Sequence, residues 1–227
     1  CSVTNEAKKK VIDDIRKFKK KYPNKKIIVT GCASQIDSKT FLNMSEVDHV
    51  IGNQEKMEFE TFLKISNEKI TNKISDIMEL KTIAPQFIES FENHSRAFIQ
   101  IQNGCDHRCT FCTIPYGRGN SRSLPINNII EQIKMLNEKG FNEIILTGVD
   151  LTSYGPDLNE NVNLGKLVEA ILKNNKELKR LRLSSLDSIE IDSLLFETLS
   201  SEKRVMPHFH LSMQSGDNMI LKRMKRR

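Results

Sequence analysis

The sequence predicts an α/β fold in two parts: a small α/β unit, then a longer alternating series that fits part of a β/α barrel. Three observations lead there. Helical and strand periodicities alternate with short connections, which favours parallel strands joined by crossovers. A polar, lysine-rich, weakly periodic stretch over 65–94 separates the two series. Hydrophobic residues make up 38% of the 227 residues against 28% charged, enough to bury a sizeable core. A doubly wound sheet is the competing architecture for the second series. In either, function sits in loops at the carboxyl ends of the strands.

Taken in order, "NEAKKKVIDDIRKFKK" at 5–20 places Val11, Ile12, Ile15 and Phe18 on one helical stripe. Pro23 and Asn24 end that helix. "KIIVTG" reads as a short buried strand running to Cys32, and "VDHVIG" at 47–52 as a second, parallel one. These form a first domain over 1–64, with 65–94 as linker and 95–227 as second domain. There "RAFIQIQ" at 96–102 alternates as a strand, followed by a helix at 125–139 that stops at Gly140 and the strand "EIILTGV" at 143–149. A helix near 163–173, the strand "LKRLRLSS" at 178–185, a helix near 191–199 and "HFHLSMQS" at 208–215 complete the series.

No apolar run approaches the roughly 18 residues that span a bilayer, and no membrane partner is expected. The net charge of +6 suits a polyanionic partner, and it equally suits a well-solvated lysine-rich surface. The chain opens on Cys1 instead of Met and closes on "LKRMKRR", so truncation at both ends is expected and the start says nothing about a targeting segment. Five cysteines, clustered and odd in number, favour a reducing, cytoplasmic setting and metal chemistry over secreted disulfides.

Three of the five stand in "NGCDHRCTFCTIPYGRG", where Cys105, Cys109 and Cys112 follow a strand with spacing C-x3-C-x2-C. Thiolates bind zinc and iron–sulfur clusters alike. Zinc would need a fourth ligand, for which His107 is a candidate, but no second closely spaced pair exists. A four-iron cubane on three thiols leaves one iron open to bind substrate or cofactor. Spacing alone leaves the cluster, zinc and coincidental cysteines all in play.

With Phe111 before the last cysteine, the motif resembles the signature of radical S-adenosylmethionine enzymes. "GCDHRCTFCTIPYGRGNSRS" is similar to the methylthiotransferase branch of that family, and "CSVTNEA" at 1 and "TGCASQ" at 30 resemble its segments carrying the cysteines of a second cluster. "LTGVDLTSYG", "RLRLSSL" and "HLSMQSGDNMILKRMKR" resemble its successive barrel segments, so the likeness covers nearly the whole chain. Within the branch, these strings look most like the enzymes acting on threonylcarbamoyladenosine in tRNA. Those acting on isopentenyladenosine or on a small-subunit ribosomal protein are close relatives.

The resemblance implies a flavodoxin-like N-terminal methylthiotransferase domain followed by a partial radical S-adenosylmethionine barrel. It implies a 4Fe-4S cluster on Cys105, Cys109 and Cys112 whose open iron chelates S-adenosyl-L-methionine, and reductive cleavage to a 5′-deoxyadenosyl radical that takes hydrogen from C2 of the modified adenosine at tRNA position 37. A second 4Fe-4S cluster, with Cys1 and Cys32 as ligands, would carry sulfur; the third cysteine of that set lies upstream in the family pattern and is absent here, as is the C-terminal RNA-binding domain. An electron donor and a sulfur source are implied partners, and the anticodon loop offers an accessible base.

For the cofactor the resemblance singles out Phe111, Thr147, Gly148, Ser184 and Gln214. Each has a plain alternative: core filling for Phe111, a tight turn for Gly148, helix capping for Ser184 and Ser185, an ordinary loop amide for Gln214. Arg118 could hold a phosphate or carboxylate, or form a surface ion pair. His208 and His210 alternate on a strand and read as structural. The basic tail, Lys222, Arg223, Lys225, Arg226 and Arg227, could meet phosphates or be a solvated helix end. No side chain is assigned as a catalytic acid or base.

Overall fold

The structure, a computed structural model, describes residues 2–67, 71–83, 95–158 and 161–226, with backbone only for 66, 67 and 71. The chain divides into two compact units: Cys1–Leu80 with Arg108–Asn120, and Lys81–His107 with Ser121–Arg227.

In the first unit, helix α1 (Asn5–Lys21) starts at Thr4, whose Oγ1 accepts from the Ala7 amide at 3.1 Å, and ends in three lysines that suit the helix dipole. Strand β1 (Ile28–Val29), helices α2 (Cys32–Ile36) and α3 (Ser38–Leu42), strand β2 (His49–Ile51), helix α4 (Phe59–Asn67) and strand β3 (Thr71–Lys73) follow, and helix α5 (Ile114–Arg118) joins this unit from further along the chain. The three strands form a parallel sheet in the order β1-β2-β3. The core holds Ile27, Val29, Phe41, Val47 and Val50, with Val11, Ile12 and Ile15 of α1 packed against it. Phe18 departs from the predicted stripe: it is half exposed and stacks on Tyr22, centroids 4.9 Å apart.

Two features differ from the sequence reading. Part of the expected linker is β3, which pairs in register with β2, and Ile74 beyond it packs on the core. Three residues of "TNK" carry no periodicity; pairing, not pattern, makes them a strand. Residues 108–120, expected in the second domain, belong to the first unit because α5 packs on α2.

In the second unit, strands β4 (Ala97–Gln100) and β5 (Gln102–Asn103) lead into the cysteine run, and β6 (Arg122–Ser123) returns antiparallel to β5. Helix α6 (Ile126–Glu138), strand β7 (Glu143–Thr147), helix α7 (Leu164–Asn174), strands β8 (Arg180–Leu183) and β9 (Ser185–Leu186), helix α8 (Ser193–Ser201), strand β10 (His210–Leu211) and helix α9 (Asn218–Arg223) follow. Strands β4, β7 and β8 pair parallel in that order, a bridge from Leu181 to Val205 continues beside β8, and β9 pairs parallel with β10. This is the expected succession of a partial β/α barrel. Its apolar core includes Ile99, Ile144, Leu146, Leu167, Leu181 and Leu195, all fully buried. At the amino ends of the strands the buried Glu143 carboxylate accepts from Arg182 Nε at 2.6 Å, with Arg180 at 3.7 Å and Arg96 at 4.0 Å. Among the described residues no helix is long and apolar enough to cross a membrane.

Candidate functional site

The site is built from loops at the carboxyl ends of the parallel strands, where side chains from separate elements can converge. Cys105 belongs to the second unit, Cys109 and Cys112 to the first. These three and Cys32 form no disulfide; Cys109 is buried and the others half-buried. The Cys112 amide donates to the Cys109 carbonyl at 3.0 Å, closing a turn between them.

In the second unit, Gln102 organises the loops. Fully buried at the start of the antiparallel pair, it accepts through Oε1 from the amides of Val149 and Asp150, both at 2.9 Å. Its Nε2 donates to the Gly104 carbonyl at 2.7 Å and to Ser121 Oγ at 2.9 Å. One amide group thus ties the residue before Cys105 to the loop after β7. Gly148 belongs to this knot: a Cβ there would sit 3.0 Å from Gln102 Oε1 and 2.9 Å from Leu151 Cδ2. Close packing, with no left-handed backbone, explains the glycine.

Asp150, so held, places Oδ2 3.6 Å from Cys105 Sγ and 3.3 Å from His107 Nε2. The same His107 nitrogen is 3.3 Å from Glu190 Oε1, and Ser153 Oγ donates to Asp150 at 2.8 Å. His107, Asp150 and Glu190 offer ligating atoms within 4.8 Å of one another, the one such set among the described residues. His107, a candidate fourth zinc ligand beside the thiols, pairs here with two carboxylates. His107 and Glu190 border a cavity of about 480 Å³ whose lining includes Asp106, Ser121, Thr152 and Asp157.

The remaining expected cofactor residues lie on separate elements. Thr147 ends β7 and its hydroxyl donates to the Ile99 carbonyl at 3.1 Å. Ser184 lies between β8 and β9 with its Oγ buried and no hydrogen-bond partner. It does not cap the next helix; Asp192 does, accepting from the Leu195 amide. Gln214 is exposed with φ of 62°, and Phe111 is 46% exposed in the first unit. His210 lies on β10 with Nδ1 2.7 Å from Ser185 Oγ, whereas His208 precedes the strand. In the basic tail, Arg226 pairs with Asp187 at 2.7 Å and so serves the fold; Arg227, like Cys1, lies outside the described residues.

In the first unit, Cys32 opens α2 directly after β1. Arg118 of α5 donates through Nε to Cys32 Sγ at 3.2 Å. The sequence reading missed Gln102, Asn53, Asp150 and Glu190. Only Gln102 left a trace, as a polar residue directly after the apolar alternation of β4.

The sequence profile of the Radical SAM superfamily matches residues 99–227, and that of Uncharacterized protein family UPF0004 matches residues 1–52. Over its whole length the chain is 54% identical to a protein of Rickettsia prowazekii (strain Madrid E) named threonylcarbamoyladenosine tRNA methylthiotransferase MtaB, of which it covers 53%. Proteins of the same name from Aquifex aeolicus (strain VF5) and Bacillus subtilis (strain 168) are 35% and 33% identical over the whole chain, which covers 55% and 51% of them. The chain spans about half the length of these relatives.

Proposed function

The chain belongs to the Radical SAM superfamily, and from that premise we propose that it is part of a tRNA methylthiotransferase that places a methylthio group on C2 of N6-threonylcarbamoyladenosine. The observation that carries this reading is the 54% identity, across all 227 residues, to a relative bearing that name. An identity spread over both units supports shared substrate chemistry better than a match to the cysteine motif alone.

Cys105, Cys109 and Cys112 would hold a 4Fe-4S cluster, and Cys32 would contribute to a second. The residues present fit such groups: the thiols are unbridged, and the buried Ser184 hydroxyl at a strand end has no protein partner. When bound, the cluster supplies the electron that breaks the sulfonium bond of S-adenosylmethionine, and the chemistry is the cofactor's. The chain's own task is positioning. Gln102 fixes the loop before Cys105 relative to the loop after β7. Asp150 and Glu190 give the strand-end face a negative potential that favours a cationic ligand, as the sulfonium is. Ser184 offers a donor to a ligand oxygen.

Mass spectrometry of nucleosides digested from tRNA of cells lacking the gene tests the substrate. The expected result is loss of 2-methylthio-N6-threonylcarbamoyladenosine with accumulation of the unthiolated nucleoside. Loss of the methylthio mark on isopentenyladenosine instead overturns the assignment.

A further inference from the structure

We propose that Arg118, Asn53 and Lys56 form a cationic, hydrogen-bonding pocket around the Cys32 sulfur that holds the anionic second cluster; the proposal rests on the reading of Cys32 as a cluster ligand. Three elements build this pocket within the first unit. Arg118 Nε donates to Cys32 Sγ at 3.2 Å from the last residue of α5. Asn53, buried in the loop after β2, turns its Nδ2 to 3.8 Å from the same sulfur and donates through it to the Gly117 carbonyl at 2.6 Å. Lys56 Nζ donates to Asn53 Oδ1 at 2.7 Å, which fixes which end of the amide faces the sulfur.

The approach of α5 to α2 is as close as the backbone allows. A Cβ on Gly117 would lie 2.9 Å from Cys32 Cβ and 3.3 Å from its sulfur. Asn53 is held from a second side, its backbone N–H donating to Gln35 Oε1 at 2.9 Å. The electrostatics point the same way. Burial and then the neighbouring Arg118 guanidinium push the Lys56 ammonium below its ordinary range, and negative charge on the Cys32 sulfur opposes them. Two cations brought together at one small thiol repel each other, and an anionic ligand on that sulfur relieves the repulsion. Thiolate-bound iron–sulfur clusters are such ligands, and hydrogen bonds to their sulfurs and nearby charge are the levers by which a protein tunes them.

The experiment uses the protein expressed from its natural gene, with Cys105, Cys109 and Cys112 replaced by Ala so that bound iron reports only the Cys32 site. Anaerobic competition with an iron chelator reads apparent affinity, and circular dichroism reads folding. Arg118→Gln is expected to weaken iron retention about 10- to 100-fold, the usual cost of losing an outer-shell partner. Arg118→Lys restores part of it, and Asn53→Ala shifts in the same direction. Lys56→Gln, which removes a charge without touching the α2–α5 contact, decides the matter if Arg118→Gln does not fold. Folded variants that retain iron as the parent does overturn the proposal while leaving the ligand reading intact. Undiminished iron in Cys32→Ala, or a parent that binds none, overturns the ligand reading and the proposal with it.

Discussion

Gln102 is the side chain through which residues nearly fifty positions apart act as one structure. It accepts from Val149 and Asp150 and donates to Gly104 and Ser121, all with its carboxamide out of solvent. Gln102→Ala strands these groups in a buried setting, at about 1–3 kcal/mol for each left unsatisfied. Urea denaturation should show a loss of at least that size; an unchanged midpoint would mean that water replaces the amide. Asp37 makes a different kind of prediction. Its carboxyl is held down, from an ordinary 3.8 to about 2, first by the hydrogen bond from Lys8 and then by Thr40. A depressed carboxylate adds stability that is fully present above the unfolded value and is lost as pH falls through the folded one. Asp37→Asn should therefore unfold more easily than the parent above about pH 4, with the gap closing by about pH 2 in a pH series of thermal melts. The group is 39% exposed, so the gap is small.

At this scale the sequence was legible where chemistry follows spacing and opaque where it follows folding. Cys105, Cys109 and Cys112 announce themselves by their interval. Asn53 and Arg118 lie 65 residues apart in sequence and share the vicinity of one sulfur only because α5 packs on α2.

At the scale of elements, the long periodic segments were read well. Helices α1, α6 and α7 fall within a residue or two of their predicted spans because each carries a wide apolar stripe. Short pieces were not: β3, β5 and β6 have two or three residues each, too few to show a period, and exist because a partner strand lies alongside. The strand β7 carries its own electrostatic fastening at Glu143, bonded to Arg182 on β8 and near Arg180 and Arg96. Glu143→Gln should cost about 1.5–3 kcal/mol, the range for hydrogen bonds to charged groups, because it leaves partly buried arginines without their counter-charge. Thermal unfolding checks this, and Glu138→Gln on the surface of α6 serves as the neutral control.

For the whole molecule, two α/β units share one continuous chain, which passes from one to the other after Leu80, His107 and Asn120. Fold class was open to the sequence because alternation of strand and helix is a property of the whole chain. The division at Arg108 and Asn120 was not, since it depends on which unit a short helix packs against. Cys105, Cys109 and Cys112 are proposed to hold a redox-active cluster that acts on S-adenosylmethionine. Anaerobically reconstituted protein, reduced with dithionite and assayed for 5′-deoxyadenosine by mass spectrometry, tests it most directly. The expected result is on the order of four irons at these thiols, with 5′-deoxyadenosine released by the parent and none by Cys109→Ala. Colourless protein carrying zinc, or equal release from parent and Cys109→Ala, would contradict it.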